Sequence, residues 1–341
     1  MARRPKPPAP PLTEKFNPRG EDLDTASTAE IVRRLHAEDR AAVEAVAPAL
    51  REIARAADLA ARALACGGRL IYAGAGTSGR LGVLDAAECP PTFGIRPSQV
   101  VAIIAGGRRA LTRAVEGAED DRRKAAAELK QLRLRARDVV CAVSASARTP
   151  YALGALEAAR RAGAATVLVC NSPPPSGELA DVVVLARTGP ELVAGSTRLK
   201  AGTATKLILN AISTAAMVRL GKVFRGRMVD LQPRNQKLRE RAERILAELT
   251  GLPIPEAREL LARAGGKPKL ALAMYLTGLP RTQAERKVRE VPLRELASAP
   301  AGIPRARGAR SRGAPRAARA GGRAPSGPRA RRRSTPPASA R

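Results

Sequence analysis

Five short apolar runs, each closed by a Gly, Ser or Asn turn and most of them followed by a helical stretch, constrain the fold of this chain most strongly. The runs occupy residues 69–75, 100–105, 138–143, 165–169 and 182–186. Such runs are typical of strands buried on both faces, and helical spacers allow the strands to run parallel. The sequence therefore predicts an α/β fold with a doubly wound, five-stranded parallel sheet flanked by helices. In such a sheet, ligands bind beyond the carboxyl ends of the strands.

Helical patterns lie on both sides of the predicted sheet. Upstream, Ser27 and Glu30 have the spacing of a capping box, and apolar residues then recur at helical intervals. Pro48 either kinks this helical region or splits it in two. Downstream, residues 201–222 predict a further helix, and beyond Arg225 the strand signals stop.

The composition divides the chain into four parts. The basic, proline-rich start and the Arg/Ala/Pro/Gly/Ser-rich end lack the apolar residues that would offset the entropy of ordering them. We expect a disordered leader at 1–11, an α/β domain with an N-terminal helical region at 12–230, a small domain of three or four helices at 231–297, and a disordered tail at 298–341.

The charge is concentrated in that tail. The chain has 61 Lys and Arg against 31 Asp and Glu, a net charge of +30, and twelve of the Arg lie in 298–341. The tail either binds polyanions or membrane surfaces weakly and in a salt-dependent way, or has no function. With three Tyr, three Phe and no Trp, base stacking on a row of exposed rings is excluded, so we expect no specific nucleic-acid partner.

The cysteines form no metal or redox motif. Cys66, Cys89, Cys141 and Cys170 are too far apart for Cys-x-x-Cys, and a single His excludes a His/Cys zinc cluster. There is no apolar run of about 18 residues that could span a bilayer. We therefore expect a cytoplasmic protein without a metal and without membrane insertion.

The first predicted strand ends in a glycine-rich loop, Gly74-Ala75-Gly76-Thr77-Ser78-Gly79, which satisfies the Gly-x-Gly-x-x-Gly dinucleotide fingerprint. A nicotinamide site also needs an acidic residue near the end of the next strand, and residues 101–107 contain none. The loop instead places two hydroxyls just before a helix, whose free N–H groups attract anions. A phosphate or sugar-phosphate loop is favoured, with a dinucleotide site and a purely structural turn as alternatives.

Two more hydroxyl-rich segments precede predicted helices. Residues 144–150 follow the third strand, and residues 195–203 lead into the 201–222 helix and add two cations. Each segment alone is most often an N-cap. Their recurrence at one edge of the sheet favours a ligand there.

Two acidic residues lie between the first and second of these hydroxyl-rich turns. We place Glu88 at the end of the helix that follows the glycine-rich loop, where the macrodipole disfavours a carboxylate, so its position needs another reason. Glu119, with Glu116 and Asp120, is either a solvated helix face, as exposed carboxylates usually are, or part of a site.

Four stretches of the sequence carry a specific resemblance, and they lie at residues 69–93, 114–120, 148–151 and 195–203. Together they closely resemble the N-acetylmuramic acid 6-phosphate etherases of the sugar isomerase (SIS) superfamily, and the resemblance runs from about Leu12 to about Ala297. It implies an SIS-type sheet, a C-terminal helical bundle similar to a ubiquitin-associated (UBA-like) domain, and a homodimer whose active sites are completed across the interface.

The resemblance also implies a reaction. These enzymes remove D-lactate from the C3 ether of N-acetylmuramate 6-phosphate, giving N-acetylglucosamine 6-phosphate in cell-wall recycling, and we expect no cofactor. Glu88 matches the general acid that protonates the departing lactate oxygen, and Glu119 matches the base that takes the C2 proton. One carboxyl must be protonated while the other is ionised, and a helix end beside Glu88 would raise its pKa in the required direction.

The substrate contacts implied by the matching motifs fall in the three hydroxyl-rich turns. They are Thr77, Ser78, Gly79, Ser146, Arg148, Thr149, Ser196, Thr197, Arg198 and Lys200. The hydroxyls would surround the 6-phosphate, and Arg198 or Lys200 would meet the lactyl carboxylate. The family usually has Gly where this chain has Ala147; if φ is positive there, the Cβ costs about 1–2 kcal/mol and we expect weaker substrate binding rather than lost chemistry.

Two other functions stay open. A non-catalytic sugar-phosphate sensor resembling the glucokinase regulatory protein would bind a phosphosugar and release no lactate, and the presence of both Glu88 and Glu119 favours the enzyme instead. An aldose-ketose isomerase would also release no lactate, and the Glu88-Cys-Pro-Pro context disfavours it.

Overall fold

The computed structural model describes residues 10–175, 178–231 and 236–298. The expected leader, apart from its last two residues, and the expected tail beyond Ser298 lie outside the described residues.

The sheet has five parallel strands in the order β2-β1-β3-β4-β5. They are β1 (Leu70–Gly74), β2 (Val100–Ile104), β3 (Val139–Val143), β4 (Ala165–Cys170) and β5 (Val182–Leu185). Each strand lies within one residue of an apolar run in the sequence, so the prediction of a five-stranded parallel sheet is confirmed. Strand β1 is an interior strand with β2 and β3 as its neighbours, so the loops after β1 and β3 leave the sheet side by side.

Six helices accompany the sheet over residues 28–219. They are α1 (Thr28–Glu44), α2 (Leu50–Ala65), α3 (Gly76–Phe93), α4 (Arg122–Gln131), α5 (Pro150–Arg161) and α6 (Lys200–Arg219). Pro48 lies in the short 3-10 turn between α1 and α2, so it splits the upstream helical region. In the part of the chain that the structure describes, no helix is long and apolar enough to cross a membrane.

Alternate side chains of the strands bury opposite faces of the sheet. Leu70 and Tyr72 of β1 pack in the cluster formed with α2, α3 and α6, whereas Ile71 and Ala73 pack in the cluster formed with α4 and α5. All five residues of β1 are buried. The near-continuous apolar runs are therefore explained by burial on both faces.

A short hairpin follows the sheet domain, formed by β6 (Val223–Phe224) and β7 (Arg227–Met228). Strand β7 lies beyond Arg225, so the prediction that strand signals stop there is wrong. Its two turn residues, Arg225 and Gly226, both have positive φ, 46° and 74°, as a two-residue type I′ turn requires.

The C-terminal part is helical, as predicted, and over residues 236–298 it has four helices and a further one-turn helix where three or four helices were expected. Its helices are α7 (Gln236–Thr250), α8 (Ile254–Arg263), α9 (Pro268–Thr277), α10 (Arg281–Glu290) and the one-turn α11 (Leu293–Leu296). Their buried apolar residues form a cluster with Phe224, Val229 and Leu231, separate from the clusters on the sheet.

The residue after α3 gives a test of how the segment that leads into the C-terminal helices packs on α3. Gly94 has φ +66°, and a Cβ there would lie 1.8 Å from the carbonyl oxygen of Asp230. We expect Gly94→Ala to lower the free energy of unfolding by about 2–4 kcal/mol, measured by urea denaturation, because backbone atoms must move. Gly67→Ala is the matched control. Gly67 has φ +72° just after α2 with no described atom within 4 Å of its Cβ position, so only about 1 kcal/mol is expected. Equal losses of unfolding free energy for Gly94→Ala and Gly67→Ala would contradict the close approach of Gly94 to the Asp230 carbonyl.

Candidate functional site

The glycine-rich loop after β1 leads directly into the first turn of α3. Gly76 begins the helix with φ +51°, and Thr77 and Ser78 follow it in the first turn. The N–H groups at a helix start have no acceptors within the helix, so this turn offers donors to an anion. Gly79 packs behind the loop: a Cβ there would lie 2.6 Å from Ile104 and 2.7 Å from the Gly74 oxygen. Its role is therefore to let α3 approach β1.

The loop after β3 is ordered by a serine that is not among the expected substrate residues. The buried Ser144 hydroxyl donates to Thr149 Oγ1 at 2.8 Å, and its oxygen accepts from the Thr149 N–H at 3.4 Å. Ser146 Oγ accepts from the Arg148 N–H at 3.2 Å. Because the Thr149 oxygen is already an acceptor, its own hydrogen can be donated to a ligand.

These two loops border a cleft of about 380 Å³ at the carboxyl edge of the sheet. It is lined by Glu14, Ala75, Gly76, Thr77, Ser78, Glu119, Asp120, Ala145, Ser146, Arg148, Thr149, Pro150, Gly195 and Thr197. Six of the expected substrate residues meet here with the expected base, namely Thr77, Ser78, Ser146, Arg148, Thr149, Thr197 and Glu119. Residues of all three hydroxyl-rich turns therefore meet at one cleft.

Glu119 reaches the cleft from a short 3-10 turn rather than from a helix face. The turn covers Ala118–Asp120 and follows Gly117, whose φ is 71°. Glu119 and Asp120 are both exposed and both line the cleft. The exposure of Glu119 fits the alternative of a solvated face, and its place in the cleft wall fits the alternative of a site residue.

The third hydroxyl-rich segment contributes less than we expected. The helix it precedes, α6, is capped by the buried carboxylate of Glu191, which accepts from the N–H groups of Lys200 at 3.0 Å and Ala201 at 2.9 Å. Burial raises the pKa of Glu191, and the two N–H donors oppose that rise. The start of α6 is thus occupied by a side chain of the protein, while Gly195 and Thr197 reach the cleft and Ser196 does not line it.

Lys200 is engaged elsewhere. Its side chain is buried and its ammonium forms an ion pair with the buried carboxylate of Glu38 on α1. Asn17 Nδ2 and Arg19 Nη1 donate to the same carboxylate at 3.1 and 3.2 Å. Burial alone would raise the pKa of Glu38, but the donors Lys200 and Arg19 lower it overall. The structure therefore does not bring Lys200 to the cleft, and Arg198 is exposed outside its lining.

Glu88 also lies away from the cleft of its own chain. It follows Thr77 by eleven residues on α3, which is about 16 Å along the helix axis, and it is exposed. The expectation that α3 ends at Glu88 is wrong, because the helix continues through Pro90 and Pro91 to Phe93. The argument from an adjacent helix end therefore does not apply to Glu88.

A buried carboxyl holds the inner face of α3. Asp85 accepts from Tyr72 Oη at 2.8 Å, Asn210 Nδ2 at 2.8 Å and Ser213 Oγ at 3.0 Å, which joins α3 to β1 and α6. Burial raises the pKa of Asp85, while these three donors oppose the rise. With this face fixed inward, Glu88 is left on the exposed face of α3.

Ala147 has a φ of 58°, and a positive φ is the condition under which its Cβ strains the backbone. The residue is fully buried, and its N–H donates to the backbone carbonyl oxygen of Ser144 at 3.0 Å. A left-handed alanine costs about 1–2 kcal/mol relative to glycine. The effect of this strain on substrate binding stays a prediction.

Three residues that matter here, Glu14, Ser144 and Glu191, are not indicated as functional by the sequence reasoning. Ser144 stands within a hydroxyl-rich turn, and its position at the strand end is the signal that could have found it. Glu14 ends a one-turn 3-10 helix and Glu191 lies in an irregular segment, and in neither place does periodicity or spacing indicate a contact with the cleft or with a helix start.

Comparisons with known proteins found similarity to a family profile, to curated relatives and to a solved structure. The family profile "Glucokinase regulatory protein N-terminal SIS domain" matches residues 52–160. The chain is 50% identical over 280 residues to the N-acetylmuramic acid 6-phosphate etherase of Cutibacterium acnes (strain DSM 16379 / KPA171202), covering 82% of this chain and 92% of that protein. It is also 50% identical over 279 residues to the protein of the same name from Geobacillus thermodenitrificans (strain NG80-2), covering 82% and 95%. A phosphoheptose isomerase structure from Neisseria gonorrhoeae is similar with a TM-score of 0.41 and 20% identity, over 56% of this chain and 98% of that one.

The buried ion pair of Glu38 gives a pH-dependent prediction. We expect Glu38→Gln to lower the free energy of unfolding by about 3 kcal/mol at pH 7, because the Lys200 ammonium stays buried without its counterion. The pKa of Glu38 is lowered in the folded protein from its ordinary value of 4.5, so its stabilisation is present above that pH. The difference between wild type and variant should shrink as the pH falls below 4.5.

Chemical denaturation between pH 3.5 and 7 checks this. Glu30→Gln is the matched control, because Glu30 is on the same helix and pairs with Arg33 and Arg34 at the surface. Glu30→Gln should lower the free energy of unfolding clearly less than Glu38→Gln does at pH 7. A Glu38→Gln loss that is small, or that does not depend on pH, would contradict the assignment.

Proposed function

The chain belongs to the N-acetylmuramic acid 6-phosphate etherase family, and on that premise we propose that it cleaves the D-lactyl ether of N-acetylmuramate 6-phosphate. The products are N-acetylglucosamine 6-phosphate and D-lactate, a step in the recycling of cell-wall amino sugars. One observation carries the proposal: a single cleft joins hydroxyls at the starts of two helices with the carboxylate of Glu119. A phosphate site and a base thus lie within the reach of one sugar.

The phosphate binds between the starts of α3 and α5. Thr77 and Ser78 approach it from one side, and Ser146 and Thr149 from the other, with the helix N–H groups adding donors. Arg148, which also lines the cleft, supplies a positive charge. This arrangement fixes the sugar by its 6-phosphate and leaves the remaining carbons facing Glu119.

Glu119 acts as the base. In the ring-opened sugar the C2 hydrogen is α to an aldehyde, so its transfer to the Glu119 carboxylate gives an enolate. The enolate re-forms the carbonyl as the C3–O bond breaks and lactate leaves with a proton from a general acid. Water then adds to the unsaturated aldehyde, with its hydroxyl at C3 and a proton returned to C2. The Glu119 carboxylate lines the cleft, where it can receive this proton.

We assign the general acid to Glu88 of a second copy of the chain. Within one chain Glu88 is too far from the cleft, and it shares the exposed face of α3 with Leu84, which is 50% exposed. A homodimer that covers this face buries Leu84 and carries Glu88 to the neighbouring cleft. The carboxyl then lies where it can give its proton to the departing lactate oxygen.

We place this reaction in the cytoplasm. Cys66, Cys89, Cys141 and Cys170 are free thiols, and the last three are buried. Free thiols suit a reducing compartment.

A sugar-phosphate sensor is the second candidate, and the match of residues 52–160 to the glucokinase regulatory protein profile favours it. A sensor needs the phosphate loops but no base. Glu119 at the cleft therefore supports the enzyme over the sensor.

Lactate release separates the two candidates. We expect the purified protein to release D-lactate from N-acetylmuramate 6-phosphate, and Glu119→Gln to lower kcat at least about 100-fold because the base is lost. Glu119→Gln should also abolish exchange of the C2 hydrogen with solvent deuterium, followed by NMR. Glu116→Gln is the control, since Glu116 is exposed in the same segment and does not line the cleft. Binding of the substrate without lactate release by the wild type would favour the sensor.

Mixed dimers test the shared site. Glu88→Gln and Glu119→Gln proteins should each be inactive alone. When the two are unfolded together and refolded, about a quarter of the wild-type activity should return, because each mixed dimer keeps one site with both carboxyls intact. Each variant refolded alone is the control. No recovery in a mixture whose mixed dimers are confirmed by mass spectrometry would mean that each site is built from one chain.

A further inference from the structure

The N-terminal segment crosses the carboxyl edge of the sheet and is fastened on both sides of Glu14. Before it, the buried Thr13 donates its N–H to Ser172 Oγ at 3.3 Å, and its carbonyl accepts from the Gly195 N–H at 3.3 Å. After it, the buried Asn17 donates to the Glu38 carboxylate and to the Pro190 oxygen, both at 3.1 Å. Glu14 is therefore held in place by buried anchors although it is itself exposed.

These anchors place the Glu14 carboxylate in the wall of the cleft. Its Oε2 lies 3.0 Å from the position that a Cβ would take at Gly195, whose φ is +76°. A side chain at Gly195 would thus crowd the carboxylate as well as strain the backbone. Both residues line the cleft together with Thr77, Ser78 and Glu119.

The charge of Glu14 does not suit a phosphate. The cleft has three carboxylates, Glu14, Glu119 and Asp120, against one guanidinium, Arg148. Within the described ranges, no Lys or Arg side chain forms an ion pair with Glu14. A carboxylate without a cation, beside a phosphate site, repels the anion and can only accept hydrogen bonds. The ligand groups that match it are neutral donors.

We propose that Glu14 binds the sugar part of the ligand, by accepting a hydrogen bond from a hydroxyl or from the acetamido N–H. It would thereby make the cleft selective for a sugar phosphate over phosphate itself. This role rests on the proposed function for the identity of the ligand. It concerns a residue other than the phosphate hydroxyls and the two carboxyls of the reaction.

The experiment compares three ligands by calorimetry, namely N-acetylglucosamine 6-phosphate, glucose 6-phosphate and inorganic phosphate. Glu14→Ala and Glu14→Gln should weaken binding of N-acetylglucosamine 6-phosphate about tenfold or more, as expected for the loss of a hydrogen bond to a charged group. Binding of inorganic phosphate should stay the same or become tighter, because a repelling charge is removed. A loss for both sugars indicates a hydroxyl donor, and a loss for the acetylated sugar alone indicates the acetamido N–H.

Glu21→Gln is the matched control, because Glu21 is exposed in the same N-terminal segment and does not line the cleft. Equal weakening of all three ligands by the Glu14 variants would show that Glu14 only holds the fold of the cleft, and no weakening would also overturn the proposal. The measurement needs no turnover, so a wild type that binds the sugar phosphate but releases no lactate refutes the etherase function separately. A wild type that binds none of the three ligands would overturn both.

Discussion

The buried carboxylate of Glu38 joins the separate segments on which the cleft depends. It lies on α1 and is bound by Lys200 at the start of α6 and by Asn17 and Arg19 of the N-terminal segment. Two buried charges remain ionised in such a place only when they are paired and hydrogen-bonded. The pair therefore fixes where α6 begins relative to α1, and with it the position of the segment that carries Glu14.

The part of the site that can be predicted from sequence is the part that follows from local pattern and parallel topology. The apolar runs predict β1 and β3, and hydroxyls directly after two neighbouring strands of a parallel sheet must meet at one edge. That geometry needs no knowledge of distant contacts. For this reason the sequence alone predicts that the loops at Thr77 and Thr149 face one site, and the structure places both loops at one cleft.

The remaining contacts depend on which charged groups find each other across long stretches of chain. Lys200 and Glu38 are 162 residues apart in sequence. Nothing near Lys200 indicates that its ammonium pairs with a carboxylate of the protein rather than with a ligand. The length of α3 is likewise not evident from its sequence, because Pro90 and Pro91 suggest an end that the helix passes through. The hydrogen bonds of Asp85, with partners on β1 and α6, then decide which face of that helix is exposed.

The Glu191 carboxylate supplies an internal counterion to α6. Helices α3 to α6 begin at this edge of the sheet, and the starts of α4 and α6 are already capped by carboxylates of the chain, those of Asp121 and Glu191. Among these four helices, the starts that have no side-chain cap, and so still offer free N–H groups to an anion, are those of α3 and α5. An anion placed at the start of α6 would instead meet the Glu191 carboxylate, so this built-in carboxylate disfavours a second anion there.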